Sequence, residues 1–178
     1  MAVTPPEPAL LVASILGRTI EQVDVAVGRF AEQFGPIAFT SAPLEFHWTS
    51  YYRDELGEDP KRRVIAVDRF EDTSRLPEIK RATCRLEIAL SRPGGSREVN
   101  IDPGFLSAEQ LVLASTKRRA HRIHLGRGIY ADLMLLYGSD GFAPLPWTYP
   151  DYGSLPLREL FGQLRELLLA ARRERRQP

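Results

Sequence analysis

Residues 115–137, STKRRAHRIHLGRGIYADLMLLY, concentrate side chains that can bind anions and move protons. Lys117 and Arg122 are cations suited to a phosphate or a carboxylate. His121 and Asp132 are residue types that act as general acids and bases. Their concentration in one segment indicates either a site for a small anionic ligand or the polar face of an ordinary hairpin.

The spacing within this segment predicts a β-hairpin that separates apolar from polar residues. Residues 126–128 form a three-residue loop with glycine at both ends, which suits a type I turn followed by a bulge. With that loop, Arg122 lies opposite Asp132 and His124 lies opposite Tyr130 on the polar face. The predicted pairs on the apolar face are Leu125 with Ile129, Ile123 with Ala131, and His121 with Leu133.

Two interpretations of this hairpin's polar residues stay open. The Arg122–Asp132 pair is either a surface ion pair contributing less than about 1 kcal/mol or an arginine held rigid to receive an anion. His121 is either a hydrogen-bonded core histidine or a group that acts on a ligand. His121 and His124 face opposite sides of a strand, so they do not share a metal. The sequence leaves any metal and any cofactor unknown.

Two segments elsewhere contribute further candidates. In NIDPGF, Asp102 precedes Pro103 and Gly104, which favour a type II turn. Asp102 would then end a strand, either capping its own turn or contacting a ligand or metal. The aromatic residues of FAPLPWTYPDY either cover an edge of the core or line a pocket. The candidate catalytic residues are Asp102, His121 and Asp132, and the candidate ligand-binding residues are Lys117, Arg122, Tyr130, Trp147, Tyr149 and Asp151.

The preceding residues predict the scaffold. The apolar run PALLVASILG indicates a strand over about 9–16 that is buried on both faces. Thr19 and Gln22 resemble a capping box for a helix over 20–34. Further elements are predicted as strands near 44–49, 63–70 and 97–101 and as a helix near 74–90. This order, β-α-β-β-α-β, is typical of ferredoxin-like α+β domains.

Beyond residue 101 the pattern predicts a β-rich part and a last helix. Residues 110–117 alternate as in a strand, although Ser107 with Gln110 is also compatible with a helix cap. The last helix begins near Pro156. Its predicted inward residues are Leu157, Leu160, Phe161, Leu164, Leu167 and Leu168.

We therefore predict a single α+β domain over residues 1–178. A ferredoxin-like core would span about 9–101, and an appended antiparallel β part with a C-terminal helix would span about 102–173. A chain of 178 residues is long enough to bury a sizeable hydrophobic core.

Composition narrows the functional classes. The net charge is +1, which argues against a nucleic-acid partner. Cys84 is the single cysteine, so no intramolecular disulfide forms and a reducing compartment is expected. We predict that this cysteine is an inert core residue. The longest apolar run, residues 9–16, is too short to span a bilayer, and no basic region precedes it as in a secretory signal. These features predict a cytoplasmic protein without a membrane partner.

Several segments also carry a family resemblance. They are FGPI, NIDPGF, LVLASTK, HRIHLGRGIYADLMLLY and PLPWTYPDY. From Leu10 to about Glu166 the chain resembles a prokaryotic family described as a domain of unknown function. The family pattern has tyrosine where this chain has Phe105 and His124, and glutamate where it has Asp132. The resemblance implies an uncharacterised protein and brings no substrate or mechanism.

Three functions fit these patterns. The first is a binder or enzyme for a small anionic or phosphorylated ligand, with Lys117 and Arg122 holding the anion beside the candidate catalytic residues. The second is a non-catalytic interaction module or homodimer that uses the 147–152 loop and the last helix. The third is an RNA binder. It is ranked last because the K/R-G-F/Y-G/A-F-V strand signature is absent. Whether the protein is an enzyme stays open at this point.

Overall fold

A fully buried strand forms the centre of the fold. The structure is a computed structural model that describes residues 7, 9–48, 52–94 and 97–175. Strand β1 (Ala9–Gly17) is buried at every position. It pairs antiparallel with β4 (Lys61–Glu71) on one side and β5 (Val99–Leu106) on the other. The prediction of a central strand buried on both faces is confirmed.

The described residues form nine strands in one sheet. The other six strands are β2 (Ile37–Thr40), β3 (Leu44–Glu45), β6 (Gln110–Ser115), β7 (Ile123–Gly126), β8 (Ile129–Gly138) and β9 (Gly141–Pro144). The strand order is β2-β4-β1-β5-β6-β8-β7, with β3 beside β4 and β9 beside β8. The pairings between these strands are antiparallel. This confirms the α+β class, and the ferredoxin-like description of the first half stays a prediction.

Helices cover both faces of the sheet. They are α1 (Ile20–Phe34), the single turn α2 (Arg53–Leu56), α3 (Leu76–Ala89) and α4 (Leu155–Arg175). Phe30 of α1 and Ile79 of α3 pack with Ile15 in one core. Phe161 of α4 packs with Val12 in a second core on the opposite face. Because neighbouring residues of β1 point to opposite faces, the one strand contributes to both cores.

The ends of the helices agree closely with their sequence signals. The backbone N–H of Gln22 donates to the Thr19 hydroxyl and the Thr19 N–H donates to the Gln22 side chain, which confirms the capping box. Helix α4 begins at Leu155, one residue before the predicted start. Leu167 was predicted to face inward, and this is wrong because the α4 stripe that meets the sheet leaves it exposed.

The predicted strand near residue 46 is shorter than expected. Strand β3 ends at Glu45. Phe46 is still buried, but Trp48 is exposed, and Thr49 lies outside the described residues. The alternation therefore predicted the inward position of Phe46 and overestimated the length of the strand.

The β7–β8 hairpin keeps part of the predicted register. The observed partners are Ile123 with Ala131, His124 with Tyr130, and Gly126 with Ile129. The predicted partner of Ile129 was Leu125, and this is wrong because a bulge at Leu125 shifts the register and leaves Arg127 and Gly128 as the turn. The predicted apolar core side is also wrong at β7, because β7 is the outermost strand and Ile123 is 70% exposed.

The predicted strand at 110–117 is confirmed over Gln110–Ser115. The Ser107 hydroxyl accepts the backbone N–H groups of Glu109 and Gln110, so it caps a turn and not a helix. Among the described residues, no helix combines the length and apolar character that a membrane crossing requires.

Candidate functional site

The site begins where β5 and β6 separate. Strand β1 pairs with β5 over its full length, from Val99 to Leu106, whereas β6 pairs with β5 only over Gly104–Leu106. A cavity of about 470 Å³ lies beside this separation, with Asn100 and Asp102 of β5 in its lining. That volume is in the range of small-molecule sites.

Side chains from α3 take the place of the missing strand partner. The backbone N–H of Ile101 donates to Oε1 of Glu87 at 2.7 Å, and the Ile101 carbonyl accepts from Nζ of Lys80 at 2.7 Å. Both contacts satisfy backbone groups on the edge of β5 that β6 leaves open. Buried backbone groups need such partners, which explains why two charged residues of α3 point into the protein.

The prediction that Asp102 ends its strand in a turn is wrong. Asp102, Pro103 and Gly104 all lie inside β5. In a strand, residues two apart direct their backbone groups to the same edge, so Pro103 faces the open edge as Ile101 does. The missing N–H of Pro103 therefore removes no hydrogen bond to β1. At Gly104, a Cβ atom would lie 2.4 Å from the carbonyl oxygen of Val112, so only glycine lets β6 approach.

Asp102 and Lys80 form a polar cluster in the cavity wall. Nζ of Lys80 donates to Oδ1 of Asp102 at 3.1 Å and lies 3.9 Å from Oε1 of Glu87. Nδ2 of Asn100 donates to Oδ2 of Asp102 at 2.7 Å. Burial alone would lower the pKa of Lys80, but Asp102 and Glu87 outweigh it and raise that pKa, so the ammonium stays charged. Burial raises the pKa of Glu87, against the opposing effect of Lys80.

Sequence reasoning missed Lys80 and Glu87. The signal that could have found them is their helical spacing: Lys80, Thr83, Cys84 and Glu87 recur at i, i+3, i+4 and i+7, beside the apolar stripe of α3. Lys80, Thr83 and Glu87 are all buried. A polar stripe beside an apolar stripe is therefore compatible with buried polar residues as well as with a face exposed to solvent.

Arg122 and Asp132 form the opposite cluster. Nε and Nη2 of Arg122 both lie 2.8 Å from Oδ2 of Asp132, and the two side chains are 3% and 4% exposed. This confirms the predicted pair and shows that the surface interpretation is wrong. Nη1 also donates to the Ser115 hydroxyl and the Lys117 carbonyl at 2.8 Å each, and Nη2 donates to the Tyr149 hydroxyl at 2.6 Å. Every nitrogen of the guanidinium is thus engaged by the protein.

His121 lies behind this cluster and not in the cavity lining. It precedes β7, so its predicted position opposite Leu133 is wrong. Its Nε2 is 3.3 Å from Oδ1 of Asp132. Its ring stacks on Trp147 with centroids 5.2 Å apart and planes 10° apart. Tyr130 is also outside the lining, with its ring 5.0 Å from that of His124.

A second buried ion pair comes from β4 and the loop before α4. Nη2 of Arg62 donates to Oδ2 of Asp151 at 2.5 Å. The guanidinium carbon of Arg62 lies 4.6 Å from the ring centre of Phe46 and 5.5 Å from that of Tyr152, which allows cation–π contact with both rings. Asp151 was a predicted candidate, whereas Arg62 was missed.

These clusters meet around one cavity. Six cations and four carboxylates are among its lining residues: Arg62, Lys80, Arg97, Lys117, Arg119 and Arg122, with Glu87, Asp102, Asp132 and Asp151. The described lining residues therefore carry a formal charge of +2. Glu55, outside the lining, pairs with one of these cations, Arg97, at 2.6 Å. Aromatic residues form much of the remaining wall: Phe46, Trp48, Tyr52, Tyr149 and Tyr152.

The cavity collects six of the nine residues predicted from the sequence: Asp102, Lys117, Arg122, Asp132, Tyr149 and Asp151. His121, Tyr130 and Trp147 are not among its lining residues. Trp147 packs outside it and donates from its indole nitrogen to the Leu133 carbonyl at 2.8 Å. Residues far apart in sequence therefore converge on one concave surface.

A family model described as a domain of unknown function (DUF4416) matches residues 7–168. The chain belongs to this family. No curated protein and no solved structure matches the chain. All the cavity-lining residues fall within the matched segment of this DUF4416 chain.

The lining of the DUF4416 cavity offers limited metal and thiol chemistry. Within the described parts of the chain, no group of three or more His, Cys, Asp or Glu residues is arranged to hold a metal ion. Cys84 lines the cavity and is partly exposed, so its predicted position inside the core is wrong. Burial raises the pKa of its thiol, against the opposing effect of Lys80. The thiol is therefore protonated at neutral pH and is a weak nucleophile.

Proposed function

We propose that this DUF4416 protein binds a small anionic ligand, bearing a phosphate or a carboxylate, in the cavity between β5 and β6. The observation that carries the proposal is the cavity of about 470 Å³ whose lining holds six cations against four carboxylates. A concave surface of net positive charge attracts anions, and its partly enclosed walls strengthen that attraction.

The rim residues supply the first attraction. Lys117 and Arg119 lie in the exposed segment that follows β6. The Lys117 carbonyl and the Ser115 hydroxyl both accept from Arg122, which fixes the start of this segment. In this proposal Arg122 orders the cavity wall, because its own nitrogens are engaged, while Lys117 and Arg119 meet the ligand.

Asp102 is the carboxylate best situated to act on a bound ligand. Its side chain is 34% exposed and lies beside Lys80. A carboxylate held by a lysine and an amide can accept a proton from a ligand hydroxyl, so an enzymatic role is compatible with the proposal. His121 would act only through Asp132, as a positioning residue, because it is outside the lining.

The alternative of a homodimer built on α4 has weaker support. The exposed leucines of that helix are Leu155 and Leu167. Twelve positions apart, they lie about 120° from each other around a helix. They do not form one apolar stripe that a second copy could cover.

Titration calorimetry with inorganic phosphate, a panel of sugar phosphates and a panel of small carboxylates tests the proposal. We expect binding by the wild-type protein, and a loss of about tenfold in affinity for Arg119→Gln, which corresponds to one charge contact of about 1.4 kcal/mol. Arg118→Gln is the matched control, because Arg118 is the neighbouring exposed arginine and is not in the lining. Absence of heat and of any thermal shift with every phosphate and carboxylate in the millimolar range would overturn the proposal.

A further inference from the structure

Arg62 is a buried cation with unused hydrogen-bonding capacity. Its side chain is 7% exposed, and Nη2 is taken by Asp151. Its Nε is fully enclosed without an acceptor, and no hydrogen bond joins Nη1 to a described residue. Because Arg62 lines the cavity, the two N–H groups of Nη1 are the donors that a ligand oxygen would use.

The other deeply buried cations of the lining are already engaged. Arg122 donates to Asp132, Ser115 and Tyr149. Lys80 donates to the Ile101 carbonyl and to Asp102. Arg122 has no donor left, and Lys80 has one of its three N–H groups left, beside the carboxylates of Asp102 and Glu87. Arg62, with neither N–H group of Nη1 bonded to a described residue, therefore has the largest unused donor capacity among the enclosed cations. The Phe46 and Tyr152 rings, 4.6 Å and 5.5 Å from its guanidinium carbon, hold it in place.

Asp102 offers the complementary acceptor. Its two oxygens accept one hydrogen bond each, from Lys80 and Asn100. A carboxylate has about four acceptor positions, so capacity remains on both oxygens. At 34% its side chain is far more exposed than those of the other lining carboxylates, Glu87, Asp132 and Asp151, which are between 4% and 7%.

Strand register fixes the relative position of these two groups. Leu16 pairs with Arg62 on β4 and with Asn100 on β5, and Ser14 pairs with Asp102. Directly paired residues share a face, as do residues two apart on one strand. Arg62 and Asp102 therefore lie on the same face, two strands apart and offset by two residues along the strands, with about 12 Å between their backbones.

We infer that the ligand carries two groups: an anion received by Nη1 of Arg62, and a hydroxyl that donates to Asp102. A few carbon atoms would join them. The inference rests on the proposed function and deepens it, because it names hydroxylated phosphates and carboxylates as the class. A simple alkyl phosphate would accept the hydrogen bonds of Arg62 but would have no hydroxyl to donate to Asp102.

Matched pairs of probes test this directly in the wild-type protein. Ribose 5-phosphate and pentyl phosphate share the anion and the carbon number and differ in hydroxyls; gluconate and hexanoate do the same for a carboxylate. By titration calorimetry we expect the hydroxylated member of at least one pair to bind about tenfold more tightly. The pair that discriminates also tells whether the anion is phosphate or carboxylate.

Variants then assign the two roles. Asp102→Asn should reduce the discrimination within the pair to about threefold or less. Pentyl phosphate or hexanoate should bind no more weakly than to the wild type, because the variant removes a negative charge from the lining. Arg62→Gln should weaken both members alike, by about tenfold. Arg63→Gln is the matched control, since Arg63 is the next residue of β4, points to the other face and pairs with Asp24. Circular dichroism confirms that each variant is folded.

The outcomes separate the two proposals. Equal affinity within both pairs overturns the inference and leaves the proposed function standing. No binding of any probe overturns the proposed function and the inference with it. The wild-type comparison needs no variant, so a variant that fails to fold does not remove the test.

Discussion

The guanidinium of Arg122 and the carboxylate of Asp132 meet at 2.8 Å inside the protein. Each of these charged groups has lost its hydrating water and is stabilised by the other. Removal of one therefore leaves the other as an unpaired charge in a medium of low polarity. The same guanidinium also binds Ser115, the Lys117 carbonyl and Tyr149. One ion pair thus holds together three segments that line the cavity.

We expect Asp132→Asn to lower the free energy of unfolding by about 3 kcal/mol or more, because the buried Arg122 loses its counter-charge. Urea denaturation followed by circular dichroism measures the change. The matched control is Glu78→Gln, which removes an exposed pair with Arg127 at 3.8 Å and should cost less than about 1 kcal/mol. Equal stability of Asp132→Asn and wild type would mean that the pair is hydrated in solution.

The partnership of Arg122 and Asp132 could be predicted from the sequence, but its burial could not. Alternation of apolar and polar residues is local and indicates which residues share a face. Burial depends on Tyr149, 27 positions from Arg122 in the chain, and on the segment after β6 that covers the pair. Contacts between residues that far apart in the chain cannot be predicted from the alternation of residues within the hairpin.

Gly104→Ala is expected to destabilise the protein by about 2 kcal/mol or more, because its Cβ would lie 2.4 Å from the Val112 carbonyl oxygen and force β6 from β5. Thermal or urea unfolding measures this. Gly162→Ala is the matched control: in α4 a Cβ would meet no atom of the described residues within 4 Å, and alanine favours a helix by about 0.5–1 kcal/mol. A neutral Gly104→Ala would mean that the two strands can separate further at no cost.

The same region explains another limit of sequence reasoning. Pro103 and Gly104 carry a strong local turn signal, yet both lie within β5. The proline is tolerated because β6 has left this edge, and Lys80 and Glu87 of α3 serve the backbone there. The burial of Arg62 could have been predicted, since it occupies every second position of β4 together with Val64 and Ala66, on one buried face.

Glu87 should give the protein a pH dependence of opposite sign to that of an ordinary ion-paired carboxylate. Burial raises its pKa above the usual 4.5, against the effect of Lys80. Its contribution to stability is therefore fully present below pH 4.5 and is lost as the pH rises through the raised pKa. Urea unfolding of Glu87→Gln and wild type at several pH values between about 4 and 8 should show the variant gaining relative stability as the pH rises.

The control for this measurement is Cys84→Ala, one turn earlier on α3, which leaves Glu87 in place and should keep the wild-type pH dependence. A stability difference between Glu87→Gln and wild type that stays constant with pH would contradict the raised pKa. The opposite slope would mean that Lys80 dominates over burial at this carboxylate.

Cys84 should act as a built-in reporter of cavity occupancy. It is the chain's one cysteine and lines the cavity, and burial raises the pKa of its thiol, against the effect of Lys80. Alkylation by iodoacetamide at pH 8 should therefore be slower in the native protein than in urea, because less thiolate forms and access is restricted. A ligand in the cavity should slow it by about fivefold or more, given free ligand well above Kd.

The matched control moves the thiol to the next residue. In a Cys84→Ser, Arg85→Cys double variant, the cysteine replaces an exposed α3 residue that is not in the lining. Its alkylation should be fast and insensitive to ribose 5-phosphate, and sodium chloride of equal ionic strength should leave both proteins unaffected. Ribose 5-phosphate binds in the cavity if it protects Cys84 alone. If calorimetry detects binding while both thiols stay unprotected, the ligand occupies another surface, because Cys84 lines the same cavity as Arg62 and Asp102.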